Sequence, residues 1–261
     1  MADSKIFASL AGRRALVTGA SHGIGKAIAL AFAAAGADVL VHCRKSVDAA
    51  QGVARESRAA GVRSDVLLAD VSRPADCARL VDEAWQQFGS LDVWVNNAGA
   101  DILTTDARTA SYDDRLQLLF ETDVRGTMLL SRLIGDRMRG TGADAGDRAI
   151  LTIGWDQADR GMEGESGELF AATKNAIMGF TRSLSLSLAP DVRVNCIAPG
   201  WIRTAWGESA SDPWQERVLR ETPLRRWGTP QDIAALARFL CSSDASYLTG
   251  QVINANGGAA R

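Results

Sequence analysis

Short apolar runs and amphipathic stretches take turns along the whole chain, and this alternation restricts the fold more than any other feature. Ala15-Leu-Val-Thr18 is apolar and stops at Gly19; residues 23–35 then place Ile24, Ile28 and Phe32 on one helical stripe. The pattern predicts further strands over 38–43, 66–68, 91–95, 149–153, 192–197 and 252–254. Helices are predicted over 48–60, 74–88, 111–138, 168–188 and 231–240, with Pro74 suited to a first helical turn. Strands separated by helices of about a dozen residues imply right-handed crossovers and a parallel sheet. Continuously apolar strands such as Leu91-Asp-Val-Trp-Val95 fit a sheet covered on both faces. The expected fold class is therefore α/β, a doubly wound parallel sheet in a single domain over 1–261. No linker or repeat interrupts it, and the Gly/Asp-rich stretch 140–147 reads as a surface loop.

Composition narrows the function classes. With 261 residues, 46% of them hydrophobic, the chain can form a core that needs neither disulfides nor metal. A formal charge of -2 argues against a nucleic-acid surface or a polybasic membrane patch. Cys43, Cys77, Cys196 and Cys241 lie far apart with no CxxC pair, as expected of a reduced cytoplasmic protein. No apolar run reaches the ~20 residues of a membrane span, and residues 1–10 lack the order of a signal peptide. Two histidines and no clustered cysteines leave no metal site to expect.

The strongest local signal is Thr18-Gly19-Ala20-Ser21-His22-Gly23-Ile24-Gly25, between a strand and a helix. Three glycines let the backbone turn sharply and approach a pyrophosphate seated on the helix N-terminus. The spacing is GxxxGxG rather than GxGxxG, and alone it also fits a ligand-free turn. Two more glycine-bearing loops follow strands: Asn96-Asn97-Ala98-Gly99 and Pro199-Gly200-Trp201-Ile202-Arg203-Thr204. Ligands of open parallel sheets bind outside the strand carboxyl ends, so three such loops mark one crevice. Asp70 closes the third strand, where it could accept a bond from an adenine amino group or cap a helix ahead of Pro74. At the end of the second strand stands Cys43, followed by Arg44 and Lys45. An acid at that position would bond both ribose hydroxyls of NAD. Two cations instead suit a 2'-phosphate, so the expected cofactor is NADP(H) rather than NAD(H), with a solvated basic turn as the plain alternative.

These motifs, in order and at these intervals, resemble the classical short-chain dehydrogenase/reductase family, a Rossmann fold. The resemblance extends from Arg13 to Gly258 and includes Pro223-Leu-Arg-Arg-Trp-Gly228 and Tyr247-Leu-Thr-Gly250 through Asn256-Gly-Gly258. The chain resembles the 3-oxoacyl carrier-protein reductases and their many unassigned cousins. The resemblance implies that Ser21, His22, Gly23, Ile24 and Gly25 hold the phosphates, with His22 where NADP-binding relatives often carry a cation. It further implies Asp70 and Val71 on the adenine, Asn97, Ala98 and Gly99 on the adenosine side, and Ile202 and Thr204 on the nicotinamide amide. It also implies homodimers or homotetramers; apolar Leu129, Leu133, Leu184 and Leu188 on the two long helices suggest a helix-on-helix interface.

At the reaction centre the chain departs from that family, whose members use an Asn–Ser–Tyr–Lys set. The YxxxK motif is here Phe170-Ala-Ala-Thr-Lys174, and positions i and i+4 share a helical face. Phenylalanine carries no hydroxyl and cannot act as a general acid. The serine position falls on Trp155 and the asparagine position on Asp123, leaving only Lys174. Neither Tyr112 nor Tyr247 has a lysine four residues later. Residues 155–168 carry Asp156, Asp159, Glu163, Glu165 and Glu168 against one Arg160. Asp156 or Gln157 is a candidate displaced proton donor; the acids could instead attract a cationic substrate or form a solvated loop. Trp201, Trp206 and Trp214 lie where the family carries a substrate lid, here about 204–226, and suit a flat or apolar small molecule. The reading that follows is an NADP(H)-dependent oxidoreductase with a non-standard proton route, reducing an enone, an imine or another substrate that needs no tyrosine acid. The alternatives are a nucleotide-binding sensor without turnover, or a non-redox lyase or isomerase.

Overall fold

The structure is a computed structural model that describes residues 6–139 and 147–259, so the loop expected over 140–147 lies outside the described residues except for its last position. Seven parallel strands form one sheet in the order β3-β2-β1-β4-β5-β6-β7. They are β1 (Arg14–Val17), β2 (Asp38–Cys43), β3 (Ser64–Leu68), β4 (Val93–Asn96), β5 (Ala149–Ile153), β6 (Arg193–Pro199) and β7 (Val252–Ala255). The order reverses between β1 and β4, which opens a crevice at the carboxyl ends of these strands.

Strand side chains alternate between the two faces, and each face has its own core. Ala15 and Val17 of β1, Val39 and Val41 of β2, and Val93 and Val95 of β4 join one cluster. It is covered by α1 (Gly23–Ala34), α2 (Val47–Ala59) and α9 (Pro230–Leu240) through Ile28, Phe32, Val53, Ile233 and Leu240. Leu16, Leu40 and Trp94 point the other way, against α3 (Pro74–Phe88), α5 (Thr127–Arg139) and α6 (Glu165–Leu188). Trp94 is fully buried, and its indole N–H donates to Asn96 Oδ1 at 2.9 Å, so a large apolar group is buried without an orphaned donor.

Helix ends follow from local chemistry. Pro74 opens α3, and Gly89 ends it in the left-handed region at φ 76. Thr229 and Asp232 form a reciprocal capping box at α9, with Pro230 in the first turn. The long helix expected over 111–138 is α4 (Tyr112–Leu119), a π-helical segment (Phe120–Gly126) and α5 in succession. The widened segment is packed closely on the end of the β3 loop: a Cβ on Gly126 would sit 2.5 Å from the Val71 carbonyl oxygen. Two helical positions expected at a subunit interface are not there. Leu184 and Leu188 are buried in the core beneath α6, whereas Leu133 and Leu186 face outward. Helical spacing defined the stripe but not which of two apolar stripes faces the sheet. Two short helices, α7 (Ala205–Ser209) and α8 (Asp212–Glu221), follow β6. No helix among the described residues is long and apolar enough to cross a membrane.

Candidate active site

The loop between β1 and α1 begins with Gly19 at φ +62 and ends with Gly23 at φ +54, both in the region that favours glycine. A Cβ on Gly19 would stand 2.8 Å from Ala98 Cα, and one on Gly25 would run into the Gly19 carbonyl oxygen. The turn therefore nests against the β4 loop with no room for side chains. Asn97 fastens it there: its amide nitrogen donates to the carbonyl oxygens of Thr18 and Gly19 at 3.0 and 3.1 Å. Thr18 Oγ1 accepts from the backbone N–H groups of Asn97 and Ala98, both at 2.9 Å. His22 is the residue ahead of α1, and its side chain makes no capping bond; no acid occupies the first turn. The outward amides of α1 are thus left for an exogenous anion, and the loop fits a dinucleotide pyrophosphate.

Two groups at the ends of β2 and β3 shape the neighbouring part of the crevice. His42, not anticipated from the sequence, is 1% exposed and accepts the Gly19 N–H on Nδ1 at 3.2 Å. Its Nε2 then carries the proton and donates to the Ala69 carbonyl oxygen at 3.1 Å. Burial lowers its pKa to about 4, partly offset by the Ala69 bond, so the imidazole is neutral at physiological pH. The signal was present: His42 alternates with Cys43 and points at the glycine loop. Asp70 sits below the ordinary carboxylate pKa. Partial burial opposes this, but the Ser72 hydroxyl and amide, with Arg44 behind them, outweigh it. Arg44 Nη1 lies 3.9 Å from Asp70 Oδ2 and is half exposed.

Deeper in the crevice Lys174 Nζ lies 2.8 Å from Asp123 Oδ2, on a carboxylate that is 2% exposed. The other oxygen of Asp123 accepts the Ala100 N–H at 2.7 Å. The π-helical segment supplies Asp123 and α6 supplies Lys174, so the pair joins two elements at the mouth of the sheet. Phe170, one turn before Lys174, meets Trp155 edge to face with ring centroids 6.3 Å apart. Neither ring offers an O–H where the resemblance implies tyrosine and serine.

Most of these groups line one cleft of ≈ 1400 Å³. Gly19, Ser21, His22, Gly23 and Ile24 border it, as do Arg44, Lys45, Asp70, Val71, Asn97, Ala98 and Gly99. So do Asp123, Trp155, Phe170, Lys174, Pro199, Gly200, Ile202 and Thr204. Gly25 is not on the wall; it packs beneath the loop. Asp156 is the correction. It is 1% exposed and lies behind Gly200, where its Oδ2 accepts from the Asn256 amide at 3.1 Å. Burial raises its pKa to about 6 against the Asn256 bond. A carboxyl sealed behind the wall does not reach a substrate in the cleft. The other acids of that loop are largely engaged: Glu163 pairs with Arg217, and Glu165 pairs with the buried Arg115.

The far wall is indole. Trp201 has ring centroids 5.9 Å from Trp206, 5.5 Å from Trp214 and 6.5 Å from Trp227. Trp206 and Trp214 come from α7 and α8 and, with Met162, border the same cleft as Phe170. The sequence placed three of these tryptophans together; Trp227 and Met162 were not anticipated. Among the described residues no group of three or more His, Cys, Asp or Glu side chains could hold a metal ion.

Comparison with known proteins agrees with this geometry. Residues 19–260 match the family model described as enoyl-(acyl carrier protein) reductase. The 3-oxoacyl-acyl-carrier-protein reductase of Staphylococcus epidermidis is 35% identical over 252 residues, covering 94% of this chain and 98% of that protein. A Burkholderia cenocepacia short-chain dehydrogenase solved in complex with NADP superposes with a TM-score of 0.85 at 32% identity, covering 96% of this chain and 98% of that one. A 7α-hydroxysteroid dehydrogenase solved with NADH and 7-oxo glycochenodeoxycholic acid gives a TM-score of 0.86 at 34% identity, covering 96% and 95%. The glycine-loop cradle, the crevice at the sheet reversal and these matches have one meaning: the chain belongs to the classical short-chain dehydrogenase/reductase family and is a nicotinamide-dinucleotide oxidoreductase.

Proposed function

We propose that this oxidoreductase uses NADP(H) and reduces a small molecule without the serine–tyrosine seat that receives a ketone oxygen. The observation that carries the reading is the edge-to-face pair of Phe170 and Trp155 beside Lys174, at the floor of a cleft whose phosphate cradle is complete. In this reading Gly19, Ser21, His22, Gly23, Ile24 and Gly25 form the pyrophosphate turn. Asp70 and Val71 border the adenine, and Asn97, Ala98 and Gly99 the adenosine side. Pro199, Gly200, Ile202 and Thr204 border the nicotinamide, and Lys174 bonds its ribose. When bound, the reduced nicotinamide supplies a hydride. Solved relatives hold NADP in one case and NADH in another. The choice therefore rests on this chain's own β2 end, where Arg44 and Lys45 line the cleft and Cys43 replaces an acid.

The protein's side chains can bind, orient and exclude water at the reacting position, but Phe170 and Trp155 cannot deliver a proton to a carbonyl oxygen. Substrates that accept hydride without that proton, such as activated enones and imines, fit best. The segment 204–226, with α7 and α8, serves as a lid that brings Trp206 and Trp214 over the substrate. Outward Leu133 and Leu186 on α5 and α6 support assembly as a homodimer or homotetramer. Four free, buried cysteines suit a reducing cytoplasm. The test is loss of NADPH absorbance against a panel of ketones, enones and cyclic imines. Consumption with an enone or imine, and little with simple ketones, is expected. Tight NADPH binding with no consumption across the panel would refute the reading.

A further inference from the structure

Resting on that reading, we infer that the hydride acceptor is a cation, a planar iminium held against indole walls. A ketone gathers negative charge on oxygen as it is reduced, and a site that accelerates this provides an O–H donor or net positive charge. At positions 155 and 170 the chain provides neither, and the hydroxyls that line the cleft belong to other residues such as Thr105, Thr122 and Ser166. Phe170 and Trp155 present rings in edge-to-face contact. Lys174, the one cation there, is matched by the buried Asp123 carboxylate at 2.8 Å, so the pair carries no net charge into the cleft. Both features are unfavourable to an alkoxide and leave a cation unopposed.

The rest of the substrate half continues the pattern. Its other cation, Arg115, is paired with Glu165. Three more carboxylates, Asp101, Asp106 and Glu163, line the same half, of which Glu163 is engaged by Arg217 from outside the lining. Trp206 and Trp214 also line the wall; indole rings attract cations within about 6 Å, and the Trp214 ring already holds the Arg217 guanidinium 4.7 Å from its centroid. An iminium brings its charge in and loses it on reaction. Its carbon gains the C–H bond, and the C=N π pair becomes the nitrogen lone pair. The hydrogen and both electrons would come from the reduced nicotinamide, which would be left oxidised. No proton is drawn from the protein, which is what a site lined by Phe170 and Trp155 requires.

The test compares isosteres on the protein saturated with NADPH. Binding is read by calorimetry for N,N-dimethyl-tetrahydroisoquinolinium, a cation that cannot be reduced, and for neutral tetralone. Turnover is read for N-methyl-dihydroisoquinolinium and for tetralone, each corrected for its uncatalysed rate. The cation should bind at least about tenfold tighter than tetralone, and the iminium should show the higher kcat/KM. Asp123→Asn keeps an amide oxygen for the Ala100 N–H but leaves the Lys174 charge unmatched. It should lower the cation preference about tenfold while NADPH still binds. Tetralone binding as tightly as the cation, or a preference unchanged by Asp123→Asn, would overturn the inference. The reductase reading would survive that result if an enone or ketone were still reduced. Failure of NADPH to bind the unmodified protein would remove both.

Discussion

Replacing Arg44 with alanine should change cofactor affinity selectively, and the size of the effect follows from its surroundings. A charge-assisted hydrogen bond contributes about 1.5–3 kcal/mol where it is well formed. Arg44 is half exposed, and its guanidinium already faces Asp70 at 3.9 Å. Solvent screening and that competing carboxylate reduce its expected contribution toward a 2'-phosphate to about 1–2 kcal/mol. NADPH binding by the Arg44→Ala protein should therefore weaken about five- to thirtyfold, while NADH affinity stays within about twofold. Lys45 remains beside the site, so preference for NADPH should shrink rather than reverse. Titration calorimetry at two ionic strengths reads both cofactors, and the NADPH advantage of the unmodified protein should fall as salt rises. Equal affinities for NADPH and NADH in the unmodified protein would refute the reasoning, as would an equal loss for both cofactors in the variant.

Other expectations follow from the same geometry. Phe170→Tyr alone should restore little reduction of a short 3-oxoacyl thioester, because Trp155 stands where the resemblance implies the serine; adding Trp155→Ser should restore more than the two single changes combined, as read by NADPH consumption across the four proteins. Gly25→Ala should destabilise the fold by about 1–3 kcal/mol, visible as a lower Tm, because its Cβ meets the Gly19 backbone carbonyl as well as the Asn97 amide that fastens the loop. Two buried groups give opposite pH dependences. Asp156, raised to about 6, binds more protons folded than unfolded, so its contribution declines as pH rises from about 4 to 6. His42, lowered to about 4, binds fewer protons folded, so its contribution grows with pH from about 4 to 6.5. Each is of the order of 3 kcal/mol, and they largely cancel. Asp156→Asn should unmask the His42 slope, with denaturant stability rising more steeply from pH 4.5 to 6.5 than in the unmodified protein; an unchanged slope would contradict this.

The sheet was legible because its strands are short, apolar and bounded by glycine, and because parallel strands buried on both faces need no further signal. The wall of the crevice was legible for the same reason: loops at strand carboxyl ends converge whatever their side chains do. Features that depend on three-dimensional packing were not. The π-helical segment that carries Asp123 keeps helical spacing, so a sequence pattern reads it as continuous helix. Asp156 lies in an acidic, glycine-rich stretch that looks solvent-facing, yet its carboxyl turns inward to Asn256, 100 residues away. Leu184 and Leu188 belong to a helix long enough to carry two apolar stripes, and only contact with β5, β6 and α5 decides between them. The Asp123–Lys174 pair follows from no spacing rule, since its members lie on different helices.

The central claim is that the cofactor cleft is complete while the seat for a ketone oxygen is missing. The most direct test is the steady-state rate at which the unmodified protein, saturated with NADPH, reduces a short 3-oxoacyl thioester. An ordinary enzyme turns over about ten times per second, and loss of the general acid is typically worth 10²–10⁴ in rate. The account predicts turnover at or below about 0.1 per second with this substrate. Turnover at several per second would contradict it, because some group other than Phe170 or Trp155 would then be protonating the ketone oxygen.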